Sequence, residues 1–87
     1  MNKQWFVYVA KCKDNSLYTG ITTNPKRRER QHNNLNGAKS VRGKLPVKII
    51  YTERYPSQQE AAKRESTIKS WKREYKLKLV QRKLVKR

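Results

Sequence analysis

The chain has 87 residues, which supports one domain, and carries 23 Lys+Arg against 6 Asp+Glu, a formal net charge of +17. Hydrophobic residues make up 34% and charged residues 33%, so disorder competes with a small domain of modest stability; five Tyr, two Trp and clear periodic runs favour a folded chain with a frayed C-terminal end. No apolar run approaches a spanning length, Met1-Asn2-Lys3-Gln4 leads into a strand pattern with no signal peptide, and the single Cys12 excludes an internal disulfide, so a cytoplasmic protein is expected.

The first predicted element is the strand WFVYVAKC (5–12), rich in β-branched and aromatic residues. Cys12 falls in phase with Phe6, Tyr8 and Ala10 and reads as a small buried hydrophobe. KDNS (13–16) is turn chemistry, and LYTGIT (17–22) returns to form a hairpin. Asn24 is a good N-cap and Pro25 suits a first helical position, so a helix is expected to about Leu35, closed by Asn36-Gly37. That helix has no apolar residue from Lys26 to Asn34, and a helix polar all round is marginal without some other anchor. A basic loop, GAKSVRGKLP (37–46), precedes a third strand, VKIIYTERY (47–55). Ser57 and Glu60 have capping-box spacing for a helix carrying Ala61, Ala62, Glu65 and Ile68 and reaching about Lys69. Ser70 stands as a cap for a last helix whose Leu77, Val80 and Leu84 make an apolar stripe. The order β-β-α-β-α-α predicts an α+β fold, a small three-stranded sheet covered by the last two helices.

So basic a surface repels itself, and a polyanion is the partner that best accounts for it; counterion release makes nucleic acid the leading candidate. Arg28 and His32 lie four apart on one face of the polar helix. They are either solvated side chains or a guanidinium and an imidazole aimed at the strand tyrosines Tyr8 and Tyr18, and the lack of an apolar face favours the second reading. Glu65 sits within the apolar stripe of its helix, where a carboxylate must be paired, metal-bound or neutralised. A salt bridge to Arg64, to Lys69 or to an arginine across the core, and a divalent ion held through one carboxylate, water and phosphate, are equal readings of that pattern. Gly20 weakens the second strand and lets a backbone or ligand come close, or marks a bulge. The sequence holds no zinc-type His/Cys cluster and no Gly-rich phosphate loop.

A tyrosine in the first strand, Tyr-x-Gly ten residues on, an Arg and a His on the next helix and a Glu on a later one, in that order, resemble the GIY-YIG nuclease superfamily. WFVYVAKCKDNSLYTGIT, RRERQHN, GAKSVRG and EAAKRESTIKSW look like its small single-domain bacterial members of unassigned role. The resemblance covers nearly the whole chain. Phe6-Val7-Tyr8 stands at the first triplet without its glycine, and Tyr18-Thr19-Gly20 at the second with Thr19 where an aliphatic is usual. The likeness implies a divalent-metal-dependent endonuclease: Glu65 holding one Mg²⁺ or Mn²⁺, Arg28 stabilising phosphoryl charge, and Tyr8, Tyr18 and His32 sharing the handling of water and its proton. The base among those three is left open. Lys39, Arg42 and Lys44 of the basic loop, with Arg27, Lys69 and Lys72, are expected to contact phosphates, on DNA rather than RNA. No membrane and no obligate protein partner are expected. The alternatives are a non-catalytic nucleic-acid-binding module on the same scaffold, and a basic protein of the membrane surface or the ribosome.

Overall fold

The computed structural model describes residues 4–34 and 43–85, with side chains to residue 82. Its elements are β1 (Trp5–Lys11), β2 (Leu17–Thr22), α1 (Pro25–Asn33), β3 (Lys48–Tyr55), α2 (Gln58–Lys69) and α3 (Arg73–Val85), the predicted order. The three strands form one antiparallel sheet in the order β2-β1-β3.

The hairpin turn is set by its residues. Asn15 takes a left-handed conformation at φ 70°, which Asn tolerates. The Cys12 N–H donates to the Ser16 carbonyl and the Asn15 N–H to the Cys12 carbonyl, both at 2.9 Å. Asp14 Oδ1 accepts from the Ser16 N–H at 3.0 Å and from its hydroxyl at 2.6 Å.

Alternation along β1 divides the interior between two faces of the sheet. Val7 and Val9 point to one face, where they pack with Ala61 and Ile68 of α2 and Val80 of α3. Tyr8 and Ala10 point to the other, with Cys12 and Val47 buried beside them and Tyr18, Leu45 and Ile49 against these. Cys12 is the buried small hydrophobe expected. A bulge helps fill both faces. Val9 pairs with Tyr51 and Ala10 with Ile49, so Ile50 is an extra residue on β3. Ile49 thereby joins the Tyr8 face, while Ile50 packs on the Val7 face.

α1 solves the problem of a helix with no apolar side by hydrogen bonding. Asn24 caps its start, accepting from the Arg27 N–H at 3.0 Å. Glu29 Oε2 accepts from the Ile49 N–H at 2.6 Å. The Asn33 amide accepts from the Val47 N–H at 2.7 Å and donates to the Val47 carbonyl at 3.0 Å. These bonds dock the helix on the start of β3, an edge strand with backbone groups to offer.

Some details differ from expectation. α1 ends at Asn33 with Asn34 as its C-cap, short of Leu35, because the Asn34 N–H already closes on the Arg30 and His32 carbonyls. Ser70 closes α2 rather than opening α3: its N–H and hydroxyl both turn back onto carbonyls of the last turn of α2. Of the expected stripe on α3, Val80 is buried but Leu77 is 39% exposed, and Leu79 packs on the core beside Val80; the side chain of Leu84 lies outside the described residues. The expected helix end at Asn36-Gly37 lies outside the described residues, as does most of the basic loop. The expected fraying lies at the chain end, where residues 86 and 87 are likewise outside them. Among the described residues no helix is long and apolar enough to cross a membrane.

Candidate active site

The site is built where Tyr8 leaves the middle strand. Tyr8 and Gly20 are opposite one another in the β1–β2 ladder, and the Tyr8 ring leans across Gly20. A Cβ at position 20 would lie 2.6 Å from the Tyr8 hydroxyl and 2.8 Å from Cζ. The close approach foreseen at Gly20 is therefore made by a side chain of the protein itself, and only glycine leaves room for it.

The Arg28–His32 face of α1 lies over this phenol. The Tyr8 hydroxyl is 2.9 Å from His32 Nε2, and the Arg28 guanidinium lies close enough to favour its ionised form. Tyr18 completes an aromatic triangle, its ring centroid 5.4 Å from that of His32 and 6.1 Å from that of Tyr8. Arg28 is further fixed by Gln31, whose side-chain oxygen accepts from Nη1 at 3.2 Å.

Burial governs the protonation of this group. Tyr8 is 1% exposed and its pKa is pushed up to about 12, burial outweighing the favourable influence of Arg28. His32 is fully buried and held below its ordinary value, first by desolvation and then by the Arg28 charge. At neutral pH the phenol is thus protonated and the imidazole neutral, so Tyr8 donates to Nε2. Of the two readings of the Arg28–His32 face, the structure shows the one aimed at the strand tyrosines. His32 is an interior residue, buried where the polar helix closes over the tyrosines.

Glu65 arrives from the other side. α2 covers the Val7–Val9 face but lies against β2, the edge strand across which Tyr8 leans. From there its charge bears on Tyr8, as the weakest of the named influences on that phenol. The Glu65 carboxylate pairs with Lys69 at 3.3 Å, one of the partners expected for it. Arg64, another, belongs to Glu53, which it holds through Nε at 2.9 Å and Nη2 at 3.1 Å. Glu53 also accepts from the hydroxyls of Tyr51 and Tyr55. That network was not foreseen; its one signal was an acid on the core-facing phase of a strand.

The residues expected to touch phosphate are scattered. Arg27 is exposed near the start of α1, with Nη2 donating to Thr23 Oγ1 at 3.3 Å. Lys44 lies by the hairpin turn, 4.0 Å from Asp14. Lys69 is engaged by Glu65, and Lys72 is exposed just before α3. Lys39 and Arg42 lie outside the described residues.

Glu65 is suited to a hard divalent cation but not to enclosing one. No group of three His, Cys, Asp or Glu among the described residues could hold a metal. One carboxylate fits a Mg²⁺-type ion that keeps its waters and takes its remaining ligands from a substrate phosphate.

Comparison with known proteins converges on one family. The model of the GIY-YIG catalytic domain matches residues 4–78. The UPF0213 protein of Staphylococcus haemolyticus is 47% identical over 76 residues, spanning 87% of this chain and 93% of that one. The UPF0213 protein of Clostridium perfringens is 48% identical over 81 residues, 93% of this chain and 87% of that one. A solution structure of an E. faecalis protein superposes with a TM-score of 0.65 at 35% identity, covering 100% of this chain and 95% of that one.

Proposed function

The chain belongs to the GIY-YIG catalytic-domain family, and on that premise we propose that it is a divalent-metal-dependent endonuclease that hydrolyses phosphodiester bonds in nucleic acid, DNA foremost. One observation carries the reading. The Tyr8 hydroxyl stands between the cation Arg28 and the proton acceptor His32 Nε2 at 2.9 Å, with the Glu65 carboxylate in electrostatic reach.

Each residue then has a task. His32, neutral at working pH, takes the Tyr8 proton. Arg28 favours the resulting phenolate, which in turn accepts a proton from the water that attacks phosphorus. The same guanidinium offers its remaining donors to the phosphoryl oxygens as charge gathers there. Tyr18, half-buried with its edge against His32, fixes the imidazole and borders the entry of the water. Glu65 would hold the ion, releasing Lys69; when bound, a divalent cation supplies neutralisation of the phosphate and of the leaving oxygen. The surface charge of +17 supplies attraction to the polyanion, without sequence preference.

The second reading, a non-catalytic binding module, draws on the closure of Tyr8 to 1% exposure and on the engagement of Glu65 by Lys69. A plasmid-nicking assay with Mg²⁺ and Mn²⁺ separates the two. Arg28→Ala and Glu65→Ala should each abolish nicking while gel-shift binding persists. Wild-type protein that binds the plasmid and never nicks it would leave only the binding module. Matched preparations of both variants control for contaminating nucleases, which adhere to so basic a protein.

A further inference from the structure

A second aromatic cluster lies outside the tyrosine site. Trp71, just past α2, and Tyr75, Lys78, Leu79 and Arg82 of α3 line an open groove of about 450 Å³. Tyr75 is 50% exposed, far more than a ring of that size needs in order to reach water with its hydroxyl alone. Lys78 Nζ sits 5.5 Å from the centre of the Tyr75 ring. Trp71 is held from the protein side: Arg64, clamped in both of its directions by Glu53, lies 5.2 Å over the indole. The floor of the groove is therefore fixed before anything binds.

The charges indicate what this groove receives. Its lining has two cations and no acid, and among the described residues neither Lys78 nor Arg82 is paired with a carboxylate. A second copy of so basic a chain would meet like charge there. A bilayer needs apolar groups that project, whereas these rings line a concavity. Two rings with flanking cations are the elements by which proteins hold unpaired nucleotides, bases on the rings and phosphates on the cations. A duplex keeps the faces of its bases stacked within itself and has none to offer.

We propose that the Trp71–Tyr75 groove takes an unstacked base of a nucleic-acid strand, with Lys78 and Arg82 on the neighbouring phosphates, so that the protein prefers substrates with single-stranded character. Trp71 follows Glu65 by six positions, just past the end of α2, and packs on the Val7–Val9 face of the sheet that α2 covers. The inference rests on the reading of nucleic acid as the substrate.

The test compares a short fluorescein-labelled oligo-dT strand with a labelled duplex of equal length, by anisotropy, in EDTA at physiological salt. Tyr75→Ala should weaken the single strand about tenfold or more and the duplex less than about twofold, and Tyr75→Phe should restore the single-strand affinity. Lys78→Gln and Arg82→Gln should each reduce the salt slope on the single strand by about 0.7. Equal loss on both strands, or no loss with Tyr75→Ala, overturns the proposal. So does a Tyr75→Ala variant that loses only self-association in sedimentation, or only its flotation with anionic vesicles. The nuclease reading fails separately: wild-type protein that binds oligo-dT through the groove but never nicks keeps this inference and removes that one.

Discussion

Gly20→Ala probes the geometry of the tyrosine site with a single methyl group. The new Cβ would sit 2.6 Å from the Tyr8 hydroxyl, 2.8 Å from Cζ and 3.0 Å from Cε2, so the ring must move. Tyr8 is buried and bonded to His32, so its ring cannot simply swing out into solvent. Overpacking of this kind costs about 1–3 kcal/mol. A displaced phenol also gives up its bond to His32, about 1 kcal/mol more. Against this, replacing glycine within a strand returns about 0.5–1 kcal/mol through the unfolded chain. The net loss is about 1–3 kcal/mol, and for a chain of this size it lowers Tm by about 5–20 °C. The assay is thermal unfolding followed by circular dichroism, with nicking measured beside it. In a Tyr8→Leu background the obstructing ring is absent, and the same Gly20→Ala change should be neutral or slightly stabilising. The reasoning is refuted if Gly20→Ala alone melts at or above the wild-type temperature, or if its cost is unchanged without the ring.

Two further changes test the supports of the site. Asn33→Ala strips the buried Val47 backbone of both a donor and an acceptor, and should cost about 2 kcal/mol, a Tm lower by about 8–16 °C; Asn33→Asp, which keeps the acceptor only, should fall between. Glu53 is raised by burial but lowered further by Arg64 and its two tyrosines, so its carboxylate titrates below its ordinary value of 4.5. A carboxylate depressed in the folded state contributes stability that is complete above 4.5 and is lost as pH falls through the folded value. The Tm gap between wild type and Glu53→Gln should therefore be constant from neutral pH down to about 5 and close below that; a gap that widens in acid would contradict the network.

Much of this fold is written in local chemistry. The hairpin follows from two β-rich runs around Asp14-Asn15, and the helix starts follow from Asn24 and Ser57, whose side chains take the N–H groups of Arg27 and Glu60. The convergence of Tyr8, Arg28 and His32 was legible because one helix face carried them and no apolar residue competed. What the sequence could not display was the anchoring of α1. Side-chain bonds from Glu29 and Asn33 to the backbone of β3 have no periodicity, and their partners lie 20 and 14 residues away. On α3 the periodicity places Val80 correctly but not Leu77, because Leu79 lies beside Val80 and only contact with the core selects it over Leu77. The spacing offers Glu65 both Arg64 and Lys69, but Arg64 pairs with Glu53, and that becomes visible only when β3 and α2 are packed together.

The absence of an apolar face on α1 is what permits His32 and Arg28 to be where they are. Residues 28 and 32 form one stripe of a helix, and 29 and 33 form the stripe about 100° round from it. The second stripe carries the docking: it meets edge-strand backbone groups that need hydrogen-bond partners, and Glu29 and Asn33 supply them. The first stripe is then released from any requirement for greasy side chains and can place an imidazole and a guanidinium on a phenol. Had the helix been held by leucines, they would have competed for the same face of the sheet and pressed Arg28 outward into water. Polar docking also couples stability to chemistry, since the turn that bonds Val47 through Asn33 is the turn that carries His32. A substitution at Asn33, which bonds to Val47 and not to the Tyr8 hydroxyl, is thus expected to loosen the imidazole that lies 2.9 Å from that hydroxyl.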